Sequence, residues 1–83
     1  MNIRQETRRI VDEVLGLNGA ALGYADHTVL AGALPELDSM AVVAVLTAFE
    51  ERFGIVVEDD DIDGSVFATM GALADFVERK SAG

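Results

Sequence analysis

Asp38-Ser39 is the pair whose types and position could best support chemistry. It stands before an uncharged run, Met40 to Phe49. Asp38 therefore reads as a helix cap, accepting bonds from the orphan N–H groups of the first turn. With the cap supplied by Asp38, the Ser39 hydroxyl is not needed as a cap and stands at the positive end of a helix. A second candidate is Asp59, Asp61, Asp63 and Gly64, which match the opening of a calcium-binding EF-hand loop. Position 12 of that loop should be a bidentate Glu, and counting from Asp59 it is Met70. The expectation is a solvated acidic turn with no metal site, presenting negative charge to basic partners. His27 is the one histidine and there is no cysteine, so independent catalysis has no candidate apparatus. The chain is expected not to be an enzyme, and Ser39 is not read as a catalytic nucleophile. His27 reads as a surface or loop-packing residue, Tyr24 as a loop anchor, and Arg4, Arg8 and Arg9 as a solvated helix face.

Three amphipathic segments must position these residues. Ile3, Thr7, Ile10, Val14 and Leu17 recur at helical spacing and predict a helix over 3–17, with Val11 beside the stripe. Residues 18–37 form a long connection broken by Gly19, Gly23, Gly32 and Pro35. Leu22, Val29, Leu30, Leu34 and Leu37 are expected to pin it to the core, with a short helical turn near Val29. A second helix is predicted over 39–53, stopped by Gly54. In the connection over 55–68, Ile55-Val56-Val57 has strand propensity but no partner strand. A helical turn is expected there at Asp59 to Asp63. The last helix is predicted over 70–80, capped by Thr69, with Met70, Leu73, Ala74, Phe76 and Val77 on its apolar face. The expected fold is all-α: a single domain, 1–83, of three main helices plus one short helix.

Composition narrows the function classes. Hydrophobic residues make up 51% of the 83, so a packed core forms despite the charge. Net charge is −9, which disfavours nucleic acid and anionic membranes and favours basic patches on other proteins. Nine acids and one base, Arg52, fall between Glu36 and Asp63. No run is long and apolar enough to span a bilayer, the first residues do not read as a signal peptide, and the lack of cysteine suits the cytoplasm.

The second predicted helix is apolar on two sides. At 100° per residue, Val42, Leu46, Phe49 and Phe53 lie within about 60° of one another and form a core stripe, with Val45 beside it. Met40, Val43, Ala44 and Thr47 centre about 150° away. Ser39, Glu50 and Glu51 lie on or beside that second side. A small bundle has little to cover it, which points to a partner surface.

Leu37-Asp38-Ser39-Met40, an uncharged stretch, then Glu50-Glu51-Arg52-Phe53-Gly54 together resemble the acyl carrier protein family. The resemblance continues through Ile55-Val56-Val57, the acid cluster and Phe67 to Val77. It covers residues 34–80 well and the first helix in pattern only. It implies that Ser39 bears a covalent phosphopantetheine arm drawn from coenzyme A, with Asp38 as the motif acid. It further implies that Met40, Val43, Thr47, Glu50 and Glu51 meet partners. Those partners would be a phosphopantetheinyl transferase, an acyl ligase or acyltransferase, and downstream enzymes, serving a monomeric carrier. Two departures stand out. Pro35-Glu36-Leu37 fills a stretch where many carriers have a glycine. Ala41 and Ala44 occupy positions where carriers of fatty-acid synthesis often have acids. The docking face is thus more apolar than theirs, which favours a specialised carrier of a lipid, polyketide or polysaccharide-linked pathway. The stretch Leu34 to Val43 is similar to carriers linked to exosortase and exopolysaccharide systems. Leu37 to Met40 also resembles D-alanyl carrier proteins, so an aminoacyl cargo is the alternative. A non-carrier acidic helical interaction module is the alternative of another class.

Overall fold

A computed structural model of the chain describes residues 2–82. Among them are three α-helices, α1 (Ile3–Leu15), α2 (Ser39–Phe53) and α3 (Met70–Ala82), and two 3-10 turns, Ala20–Gly23 and Asp59–Asp61. The bundle is all-α; the only strand-like pairing among the described residues is an isolated bridge between Val29 and Thr69.

Each helix begins where a side chain can satisfy free N–H groups. Asn2 Oδ1 accepts from Gln5 N at 3.1 Å, Asp38 Oδ1 from Ala41 N at 2.8 Å, and Thr69 Oγ1 from Ala72 N at 3.1 Å. The predicted caps Asp38 and Thr69 are thus observed. α1 stops two residues before the predicted Leu17, because Gly16 turns left-handed (φ 64°) and its N–H bonds back to Asp12 O. Gly54 ends α2 in the same way, with φ 65° and a bond to Glu50 O. α3 runs two residues past its predicted end at 80, to Ala82.

The core is aliphatic around a few rings. Val11, Leu30, Val45, Phe49, Met70, Leu73, Phe76 and Val77 are all buried, together with the polar Thr7. Thr7 avoids a desolvation penalty by donating its hydroxyl to Ile3 O at 2.8 Å. On α2, Val45 and Phe49 are fully buried, whereas Val42, Leu46 and Phe53 are only partly so. The buried stripe is rotated by about 50° from the predicted one. The reason is that α2 is packed from several directions, which the wheel of one helix cannot reveal.

The first connection departs furthest from expectation. Its helical turn lies at Ala20–Gly23, not near Val29. Asp12 decides this: its carboxylate accepts from Gly19 N and Ala21 N, each at 3.0 Å. Of the five apolar residues expected to pin the loop, Leu30 is buried and Leu34 and Leu37 pack partly against the core. Leu22 and Val29 stay exposed. Backbone bonds from Leu30 N to Ala68 O and from Ala31 N to Phe67 O, both 3.0 Å, fasten this connection to the segment before α3. The turn expected at Asp59 to Asp63 forms at Asp59–Asp61.

Arg4 and Arg8 are not a solvated face. Arg8 Nε donates to Tyr24 O at 2.7 Å and its Nη2 to Asp26 at 2.8 Å. Arg4 reaches Asp26, Asp75 and Glu78. The two arginines hold the Asp26 carboxyl below the usual carboxylate range, Arg8 contributing most. The hydrogen bond that Arg4 donates to Asp75 leads the effects that raise its pKa. Tyr24 is anchored as expected, though through its backbone carbonyl.

Candidate functional site

The site is built on the first turn of α2. Asp38 has extended backbone (φ −99°, ψ −177°), which turns its carboxylate back over the helix opening. One of its oxygens receives Ala41 N, and its backbone carbonyl receives Val42 N at 2.9 Å. Among the described residues, neither the Ser39 hydroxyl nor the Ser39 and Met40 N–H groups have a hydrogen-bond partner. Ser39 is exposed. A phosphodiester joined to its Oγ would therefore lie beside free amides at the positive end of a 15-residue helix. The residues present fit a phosphopantetheine group: one unencumbered hydroxyl, a cap that does not need it, and donors for its phosphate.

Below Ser39 the outer side of α2 is exposed and apolar. Met40 is 82% exposed and Val43 63%, values that leave their side chains with almost no packing inside the chain. Thr47 and Glu51 are exposed beside them. Glu50 differs from its neighbours. It is half-buried, and its carboxylate accepts from Val57 N at 2.9 Å, which ties the end of α2 to the following connection.

Two depressions flank this ridge. One, of about 190 Å³, is lined by Val43, Leu46, Glu50, Val57 and Ile62 and lies on the Ser39 side of the helical wheel. The other, of about 670 Å³, runs between α1 and α2. The sequence gives no direct sign of either, because each is bounded by residues distant in the chain.

Two acids of the run, Asp61 and Asp63, are engaged internally, while Asp59 and Asp60 are exposed. Asp61 accepts from Lys80 Nζ and from Glu58 N, both at 2.9 Å, and the Lys80 bond holds its carboxyl low. Asp63 accepts from Ser65 N and Oγ, which likewise lowers it. His27 is exposed in the first connection.

A family model described as a phosphopantetheine attachment site matches residues 5–77. No curated protein matches the chain. Among solved structures, the solution NMR structure of a holo acyl carrier protein from Nitrosomonas europaea is 44% identical to it. The match covers 100% of both chains with a TM-score of 0.90. Fold, family model and whole-length similarity agree with the geometry at the head of α2: the chain belongs to the acyl carrier protein family, whose members are carriers rather than enzymes and bear phosphopantetheine covalently.

Proposed function

We propose that the chain carries acyl groups on a phosphopantetheine arm joined to Ser39 Oγ and presents them to a dedicated set of enzymes. The observation that carries this reading is the exposed, unbonded Ser39 hydroxyl beside a cap made entirely by Asp38. When attached, the arm supplies a terminal thiol that holds an acyl group as a thioester. The protein's own residues supply the rest. The free N–H groups of Ser39 and Met40 orient the phosphate. Met40, Val43 and Thr47 offer a desolvated contact to partners, and Glu51 steers basic docking sites toward it. Glu50 acts at the edge of that face while holding Val57. The shallow cleft of Val43, Leu46, Val57 and Ile62 is placed to shelter the first carbons of a cargo.

The partners on this reading are a phosphopantetheinyl transferase, an acyl ligase or acyltransferase, and downstream enzymes of a specialised lipid, polyketide or polysaccharide-linked pathway. The apolar side of α2, with alanine at 41 and 44, supports a dedicated rather than general role. The reading places the protein in the cytoplasm as a monomer. No helix among the described residues is long and apolar enough to cross a membrane.

Incubation with a broad-specificity phosphopantetheinyl transferase and coenzyme A should add one phosphopantetheine mass, located at Ser39 by peptide mass spectrometry. Ser39→Ala should abolish the adduct and leave the unfolding midpoint nearly unchanged, because Asp38 retains the cap. Wild-type protein left unmodified under conditions that load a known carrier would overturn the proposal.

A further inference from the structure

The reversal that follows α1 is built on a chemically labile pair. Asn18 and Gly19 are both exposed and both left-handed, with φ 55° and 91°. Asn is one of the few residues with a Cβ that accept such backbone, and any side chain at Gly19 would be strained. Entry into the 3-10 turn Ala20–Gly23 therefore calls for this dipeptide. An Asn before Gly is also where a chain most readily attacks itself, because no Cβ shields the next amide nitrogen. The Asn18 carboxamide is exposed and forms no hydrogen bond among the described residues. The Gly19 amide is held: it donates to Asp12 Oδ1 at 3.0 Å, while Ala21 N donates to the second oxygen at the same distance. Asp63-Gly64 is the other acid or amide placed before a glycine, and it is restrained from the opposite side. There the side chain under attack is engaged, accepting from Ser65 N and Oγ.

We propose that Asn18 is a latent deamidation site and that Asp12 is the brake on it. The reaction needs only water and base. The Gly19 nitrogen gives up its proton and attacks Asn18 Cγ. The new C–N bond closes a five-membered succinimide, and the Cγ–Nδ2 bond breaks as ammonia leaves, taking its extra proton from solvent. Water then opens either ring carbonyl, leaving an aspartate or an isoaspartate at position 18. Asp12 opposes the first step in two ways. Removing the proton forfeits a hydrogen bond to a charged acceptor, and the nitrogen anion would form against a carboxylate. The second bond keeps that carboxylate in place, since its donor Ala21 is fully buried. Either product adds a negative charge to a chain already at −9, one residue from an amide that Asp12 holds. Isoaspartate also inserts a carbon into the backbone, so Gly19 and Ala21 no longer match the two oxygens of Asp12. Deamidation thus releases the start of the first connection from α1. The inference does not depend on the arm at Ser39.

The test incubates the whole chain in warm, mildly alkaline buffer, folded or in urea, and follows the peptide containing position 18 by mass spectrometry. Exchange of NH for O marks the reaction, and fragmentation separates aspartate from isoaspartate. The folded wild type should react at least about tenfold more slowly than the chain in urea, the scale of one hydrogen bond to a charged group. Folded Asp12→Ala should lose most of that protection, and Asp12→Asn, which keeps one acceptor oxygen, should fall between. In urea all three should react alike. Hydrogen exchange on the wild type keeps the test decisive if a variant loses its helical circular dichroism: the Gly19 amide should be protected although the residue is exposed. Equal rates for the folded and urea-unfolded wild type, folded Asp12 variants no faster than wild type, an unprotected Gly19 amide, or no reaction at Asn18 in urea would each overturn the proposal.

Discussion

On its α3 side, α1 is closed by charged hydrogen bonds and by the first connection, whose backbone lies close on α3; on its α2 side it leaves an open groove. At the first seam, Gly71 N donates to Asp26 O at 2.8 Å, and a Cβ at Gly71 would lie 2.8 Å from both that oxygen and Asp26 Cβ. Arg4 and Arg8 then tie Asp26, Tyr24, Asp75 and Glu78 together. At the second seam the ion pairs are confined to Glu6 with Arg9 and Arg52, and alanines face the gap. The difference teaches a division of labour. The α1–α3 side carries rigidity, while both α2-bordering surfaces keep apolar and charged groups uncommitted, as a carrier that must bind and release requires.

The strongest way to break the comparison is Gly71→Val. The added branches collide with backbone, which cannot retreat as a flexible side chain could. We expect a loss of about 3 kcal/mol in urea unfolding, the upper end of the usual overpacking range. Arg8→Ala comes next. It removes a charged donor from the Tyr24 carbonyl and should cost about 1.5 kcal/mol by the same measurement. Arg8→Lys should recover only part of this, because an ammonium cannot reproduce the guanidinium fork.

A pH series sharpens the contrast further. Asp26 and Glu6 are both held below their ordinary values, Asp26 by Arg8 and Arg4 and Glu6 by Arg52. A depressed carboxyl contributes stability above its unfolded pKa and loses it as pH falls through the folded one. The differences between wild type and Asp26→Asn, and between wild type and Glu6→Gln, should therefore be constant near neutrality. They should shrink as pH drops below the ordinary values of 3.8 and 4.5, respectively. Thermal unfolding across pH checks this, and a difference that grows toward acid would contradict it. The smallest effect belongs to Arg52→Ala, a half-exposed residue at the open seam. Its cost should stay within about 0.5 kcal/mol, as for surface substitutions generally.

Much of the candidate site was legible in local pattern. Asp38 and Thr69 announced the starts of α2 and α3, Gly54 announced the end of α2, and Ser39 was singled out by the resemblance of Leu37-Asp38-Ser39-Met40 and the blocks after it to the carrier family. Glu50 shows where such reading stops. Its helical position puts it beside the exposed apolar ridge of α2, but its carboxylate turns to Val57 N seven residues on. Arg4 and Arg8 are a similar case. Their spacing fits a solvated face, and only the fold brings Asp26 and α3 against them.

The sequence by itself determined the helices, their caps, the acidity and the exposed serine, because each depends on neighbours within a turn or on summed charge. Tertiary structure alone decided which side of α2 is buried, where the first connection turns, and that one flank of α1 is bolted and the other open. Those features depend on residues far apart in the chain: Asp26 against Gly71, Arg8 beneath Tyr24, Ile10 facing Ala44 and Ala48. No periodicity within one helix records what the next will place against it.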